Sequence, residues 1–230
     1  MAVRFLPLAQ CRPESQVTHG RHVIILHGLG MNRLSMSGVA HHLSKNGWQA
    51  HNISYPSLNK GFEEIVTDHV VPVVDSIDAD SIDFVGHSMG GLLIRLYALR
   101  HGALRIHRAV MLGTPNHGSQ VADVMRGYAA FQWFAGAVGQ GLATSTAGIH
   151  AQLPPVNFDC GVIAGDSGFL NLGTTYLADI PRPNDGIVSV ESTRVAGMKD
   201  HIVVSAEHSQ MVLSPTVWQL TAKFLKDGKF

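Results

Sequence analysis

Six short predicted strands alternate with segments of helical periodicity along most of this 230-residue chain. They are residues 22–26, 48–53, 81–85, 106–112, 158–164 and 202–205. Buried strands that alternate with amphipathic helices are typical of βαβ units, whose strands lie parallel in one sheet. The sequence therefore predicts an α/β protein with a mostly parallel sheet of about six strands and helices on both faces.

The intervening helical segments are residues 34–45, 62–77, 92–99 and 215–225, and Pro72 predicts a kink or a break in the second. No linker or internal repeat divides the chain, so we expect residues 1–230 to form a single domain. Residues 117–155 do not follow the alternation and carry a cluster of aromatic residues. This segment is either a core-covering helix with a loose tail or a small cap over a site.

The composition favours a compact protein that acts on small molecules. Apolar residues make up 45% of the chain and charged residues 15%. Basic and acidic residues balance at 17 each, so no net field attracts nucleic acid or an anionic membrane. No apolar run has the length of a transmembrane segment, and the first residues lack the pattern of a secretion signal. We therefore expect a cytoplasmic location.

Cysteine spacing gives no indication of a metal site or a disulfide framework. Cys11 and Cys160 are the two cysteines of the chain, and neither lies in a CxxC pattern. We expect both to be free or buried thiols, with one long-range disulfide as the less favoured alternative.

The sequence GHSMG at 86–90 matches the pattern G-x-S-x-G between a predicted strand and a predicted helix. In that context the turn is so tight that its flanking positions require glycine. The serine hydroxyl then stands clear of the sheet at the positive end of a helix. This pattern predicts that Ser88 is a nucleophile.

A serine that attacks a carbonyl group needs donors for the resulting oxyanion. The backbone N–H of Met89, directly after the serine, is the first candidate. The second is expected in the sequence HGLG at 27–30, after the first strand, where Leu29 is favoured and Met31 is the alternative. We expect His27 and His87, which lie beside these donors, to have local packing roles.

His208 is the favoured general base, because among the 14 histidines it alone follows the sixth strand and precedes the last helix. His201 opens that strand, at the wrong end of the sheet. Such a base is expected to be oriented by an acid that follows the fifth strand.

Two aspartates are candidates for this acid. Asp185 lies in an Asn-Asp-Gly turn and is favoured, and Asp166, directly after the strand, is the alternative. Glu191 and Glu207 are more distant options. The favoured chain order is serine, aspartate, histidine.

Five motifs in this order, ILHGLG, VGHSMGG, MLGTPNHGS, NDGIVS and EHSQMV, resemble those of small bacterial lipases and lipase-like esterases of the α/β-hydrolase superfamily. The resemblance covers about residues 22–225. It implies an α/β-hydrolase fold, a Ser-Asp-His triad, and hydrolysis of carboxylic esters through an acyl-enzyme without a metal or cofactor. The D-x-D-x-D spacing of a calcium loop is absent, so no calcium site is carried over.

The same triad could serve an amidase, a peptidase or a thioesterase. A non-catalytic binding protein on a hydrolase scaffold is less favoured, because no member of the triad is missing. The expected partner is a small ester with an apolar acyl group. We expect the segment from Tyr128 to Leu142 to roof its pocket, with Phe131, Trp133 and Phe134 as substrate-binding residues.

Overall fold

In the computed structural model, residues 21–125, 142, 148–168 and 179–230 are described. They contain a six-stranded sheet with the order β2-β1-β3-β4-β5-β6, in which every neighbouring pair is parallel. The strands are β1 (Arg21–Leu26), β2 (Trp48–Ile53), β3 (Ile82–His87), β4 (Ile106–Leu112), β5 (Asp159–Gly165) and β6 (Asp200–Val204). The predicted α/β class and strand number are thus confirmed.

Eight α-helices lie within the described residues: α1 (Ser37–Lys45), α2 (Phe62–Ile65), α3 (Val71–Ser76), α4 (Met89–His101), α5 (Gln120–Met125), α6 (Ile149–Gln152), α7 (Val190–Thr193) and α8 (Pro215–Asp227). Short 3-10 turns at Arg33–Met36 and Met211–Leu213 precede α1 and α8. A π-helical turn, Val66–Val70, joins α2 to α3. The break predicted at Pro72 falls here, because proline lacks the N–H that a continuous helix would need.

The two faces of the sheet are buried under different helices. On β1, Ile24 and Leu26 pack in a cluster with apolar residues of α2, α3 and α4. The alternate residues Val23 and Ile25 pack with apolar residues of α1 and α8. Because successive strand side chains point to opposite faces, one apolar strand anchors both helical layers.

Close packing of α8 on the sheet depends on a glycine in β5. A Cβ atom on Gly161 would lie 2.6 Å from the ring of Phe224, which is fully buried. The aromatic ring therefore occupies the space that a side chain at position 161 would need.

The strand order locates the crevice of the fold. β1 pairs with β2 on one side and with β3 on the other, so the chain reverses its direction of travel across the sheet at β1. In open α/β sheets, ligands bind outside the carboxyl ends of the strands at this point. The residues that follow β1 and β3, Leu26 and His87 being the last of each strand, therefore meet where a site is expected.

None of the helices in the described ranges combines the length and apolarity needed to cross a membrane. Cys160 is a buried free thiol, and burial raises its pKa to about 12. Cys11 lies outside the described residues.

Candidate active site

Ser88 occupies a sharp turn between β3 and α4. Its backbone angles are φ 53° and ψ −118°, which are rare for a residue with a side chain. Its N–H donates to the carbonyl of Leu112 on β4 at 2.8 Å, and this bond holds the turn against the sheet. Ser88 therefore has the strained geometry that the G-x-S-x-G pattern predicts.

The flanking glycines are required by close backbone contacts. A Cβ atom on Gly86 would lie 2.5 Å from the backbone of Gly90 and Gly91. A Cβ atom on Gly90 would lie 2.4 Å from the carbonyl oxygen of Leu26, at the end of β1. Side chains at these positions would push apart the two segments that meet at Ser88.

The loop after β1 places a free backbone donor beside this turn. The N–H of Met31 donates to the carbonyl of Gly28 at 3.3 Å, so it is already used. The N–H of Leu29 has no acceptor among the described residues, and neither has that of Met89, the first residue of α4. This difference favours Leu29 over Met31 as the second candidate donor.

Asp185 and His208 form a buried pair. Nδ1 of His208 lies 2.7 Å from Oδ2 of Asp185, which is fully buried. The other carboxylate oxygen accepts hydrogen bonds from the N–H groups of Ile187 and Val188, at 3.0 and 2.7 Å. The N–H of His208 also donates to the backbone carbonyl of Asp185 at 3.0 Å. Both ends of the pair are thus held in place by backbone hydrogen bonds.

The other carboxylates considered from the sequence lie in different surroundings. Asp166 is exposed and accepts a hydrogen bond from the hydroxyl of Ser167 at 3.1 Å. Glu191 pairs with Arg194, and Glu207 accepts a hydrogen bond from the amide of Gln210. The carboxylate that the structure brings to Nδ1 of His208 is that of Asp185.

His87 connects the loop after β1 with the loop that carries His208. Its Nε2 donates to the backbone carbonyl of His208 at 3.0 Å. Its Nδ1 is buried without a partner in the described part of the chain, 2.9 Å from where a Cβ atom on Gly28 would lie. Burial, and then the charge of His208, lower the pKa of His87 to about 3. The low pKa favours the neutral ring, and the local packing role expected from the sequence stays a prediction.

Gly113, which directly follows β4, is a site residue that the sequence analysis missed. It has a φ of 56°, and a Cβ atom there would lie 3.1 Å from Oδ2 of Asp185 and 3.2 Å from Nδ1 of His208. The glycine leaves room for the pair. Its position in MLGTP, after a strand, is the pattern that could have identified it.

A cavity of about 250 Å³ opens onto Ser88 and His208. Besides these residues and the candidate donor loop, its walls are mostly apolar and include Pro115, Val121, Ala122, Leu142, Ile187 and Val188. It is a concave, largely apolar space with a few polar groups in its lining, which is the usual character of a small-molecule site.

The expected roof of this cavity falls largely outside the described residues. Phe131, Trp133 and Phe134 all lie there, so their proposed contacts with substrate stay predictions. Leu142, at the end of the expected roof segment, is buried and lines the cavity.

Comparison with known proteins assigns the chain to a family. Residues 21–154 match the model of the α/β-hydrolase fold family. The match includes β1 to β4, the turn at Ser88 and the loop at Leu29. The chain belongs to the α/β-hydrolase fold family.

Solved structures of several hydrolases share this fold at low sequence identity. A mature lipase from Bacillus licheniformis aligns with a TM-score of 0.72 at 17% identity, over 90% of this chain and 93% of that chain. An esterase from Exiguobacterium antarcticum aligns with a TM-score of 0.58 at 16% identity, over 90% and 92%. A phospholipase from Legionella pneumophila aligns with a TM-score of 0.70 at 15% identity, over 91% and 59%.

Proposed function

We propose that this protein is a serine hydrolase that cleaves small carboxylic esters through an acyl-enzyme, with Ser88, His208 and Asp185 as its triad. The observation that carries the proposal is the 2.7 Å contact of His208 with Asp185 beside the same cavity that Ser88 lines. The esterase and lipase activities of the structural neighbours are consistent with this reaction class.

The tautomer of His208 follows from its carboxylate partner. The carboxylate of Asp185 can only accept a hydrogen bond, so Nδ1 of His208, which faces it, carries a proton. Nε2 of the neutral ring is then free to accept another proton. Nε2 takes the hydroxyl proton as Ser88 Oγ forms a bond to the ester carbonyl carbon. Asp185 stabilises the resulting imidazolium, which then protonates the leaving alcohol.

The same groups then hydrolyse the acyl-enzyme, with water as the nucleophile. Water gives a proton to Nε2 of His208 and its oxygen attacks the acyl carbon, after which Ser88 recovers the proton and the carboxylic acid leaves. In both steps the N–H groups of Leu29 and Met89 stabilise the negative oxygen. We assign the apolar walls beside Ser88 to the acyl group.

The proposal is tested with purified protein and a fluorophosphonate, which phosphonylates an activated serine. We expect labelling of Ser88 in the wild type, identified by mass spectrometry, and none in Ser88→Ala. Hydrolysis of p-nitrophenyl butyrate should fall by about 10⁴-fold or more in Ser88→Ala, because the triad acts as a unit.

Matched thioester and anilide substrates with the same butyryl group separate the possible leaving-group specificities. A higher kcat/KM for the thioester or the anilide than for an ester of similar leaving-group acidity would contradict the ester assignment. The assignment of the triad would not be affected. Retained turnover in Ser88→Ala would contradict the triad itself.

A further inference from the structure

His27 directly follows β1 and is fully buried, although the proposed chemistry does not use its side chain. Its Nε2 lies 3.3 Å from the backbone nitrogen of Tyr55, and its Nδ1 lies 2.8 Å from the carbonyl oxygen of Gly28. A backbone N–H can only donate, so Nε2 is an acceptor. A carbonyl oxygen can only accept, so Nδ1 carries the proton and donates to Gly28.

The carbonyl that receives this bond belongs to the same peptide group as the N–H of Leu29. In a trans peptide the two point in opposite directions, so a bond that holds the oxygen of Gly28 also aims the N–H of Leu29. The N–H of Met31 donates to the same oxygen, so rotation of the peptide would break two hydrogen bonds. The Leu29 N–H is thereby kept without a protein acceptor in the described structure, turned away from the imidazole.

Residues after β2 hold the imidazole and the loop in place. The ring of Tyr55 stacks on that of His27, with centroids 3.9 Å apart, and its hydroxyl donates to the carbonyl of His27. The N–H of Gly30 donates to the hydroxyl of Ser57 at 3.0 Å. Ser57 is itself buried, and its N–H bonds to the carbonyl of Tyr55.

We propose that His27 is a positioning residue whose Nδ1–H bond to Gly28 keeps the Leu29 N–H directed at the oxyanion. The inference rests on the proposed function, and it gives His27 a role beyond the local packing expected from the sequence. Burial lowers the pKa of His27, which keeps the ring in the neutral form that makes both bonds.

Two amide substitutions distinguish the roles of the two ring nitrogens of His27. In His27→Asn the side-chain amide can take the place of Nδ1 and donate to Gly28. In His27→Gln the amide reaches the place of Nε2 and leaves no donor near Gly28. We expect kcat to fall by about 10- to 100-fold in His27→Gln with KM little changed, less than the loss of a whole oxyanion donor, and to stay within a few-fold of wild type in His27→Asn.

The inhibition constant of a trifluoromethyl ketone distinguishes a positioning role of His27 from a merely structural one. It adds to Ser88 as a hemiketal whose oxyanion needs the Leu29 donor, whereas the matching methyl ketone stays largely unreacted. The inhibition constant of the trifluoromethyl ketone should rise in His27→Gln by the factor lost in kcat/KM. That of the methyl ketone should not change. His201→Gln, a half-buried histidine at the amino end of β6, is the matched control.

The tautomer is measured on the wild-type protein, so the test does not depend on folding of the variants or on esterase activity. ¹⁵N NMR of histidine-labelled protein should show His27 with its proton on Nδ1. A proton on Nε2, or equal losses in His27→Asn and His27→Gln, or unchanged kinetics in His27→Gln, would each overturn the inference. Failure of the proposed function would give a different result, because wild type and Ser88→Ala would then hydrolyse the ester equally well.

Discussion

Asp185 differs from the other carboxylates near His208 in the way its two oxygens are used. One oxygen accepts two backbone N–H bonds and the other faces the imidazole. Asp166 is exposed and has a hydroxyl partner. Only a carboxylate can accept at both positions, so the two aspartates should respond very differently to conversion into asparagine.

We predict that Asp185→Asn loses on the order of 10⁴-fold in kcat, and that Asp166→Asn changes it less than about three-fold. The two backbone donors would hold the asparagine oxygen at its present place and turn the NH₂ group toward Nδ1 of His208. The ring would then carry its proton on Nε2 and could not accept one from Ser88. Steady-state kinetics on both folded variants measure this, and a crippled Asp166→Asn would reverse the assignment.

At the scale of elements, the apolar wall of the cavity comes from segments that are distant in sequence. The start of α5 contributes Val121 and Ala122, and the turn after Asp185 contributes Ile187 and Val188. The same turn positions the carboxylate of Asp185, so the apolar wall of the cavity and the Asp185–His208 pair share one support.

We predict that kcat/KM rises with acyl length over the first few carbons of p-nitrophenyl esters, because each buried methylene contributes up to about 0.8 kcal/mol. Ile187→Ala should flatten this rise, since it removes part of the wall. Phe131→Ala and Phe134→Ala test the roof expected from the sequence. Leu104→Ala, a change at a 97% exposed leucine, is the control. A preference for acetate that none of these variants alters would rule out the acyl pocket.

At the scale of the whole molecule, several buried or half-buried histidines couple stability to pH. Burial lowers the pKa values of His27, His51, His150 and His201, and that of His87 to about 3. Below the ordinary histidine pKa of 6.5, the unfolded chain binds protons at these positions more readily than the folded chain does. Stability therefore falls as the pH falls through 6.5, and for His87 the loss continues down to about pH 3.

We predict that the free energy of unfolding of the wild type decreases between pH 7 and pH 4.5, with His87 contributing up to about 1.4 kcal/mol per pH unit. His87→Gln retains an amide donor for the carbonyl of His208 and removes the titrating ring, so its pH dependence should be shallower. Urea unfolding at several pH values measures the difference. Parallel curves for the two proteins would show that His87 does not contribute.

Much of the architecture and of the candidate site follows from local sequence. Most of the six strands were predictable because they are short, largely apolar runs bounded by turns or helical segments, and such patterns reflect burial directly. The position of Ser88 followed from the G-x-S-x-G pattern between a strand and a helix. The contacts of Gly86 and Gly90 explain why that turn has a recognisable sequence: no side chain fits there.

The remaining features depend on contacts between segments far apart in the chain. From the sequence, Asp185 was favoured over Asp166 only by its turn, whereas in the fold the distance to His208 and the two backbone donors distinguish them. The need for Gly113 arises because β4 passes beside that pair. His27 gains its partners because β1 and β2 are neighbours in the sheet, so that Tyr55 meets the loop after β1. Periodicity and turn patterns report the local backbone, and only the packed sheet determines which loops come together.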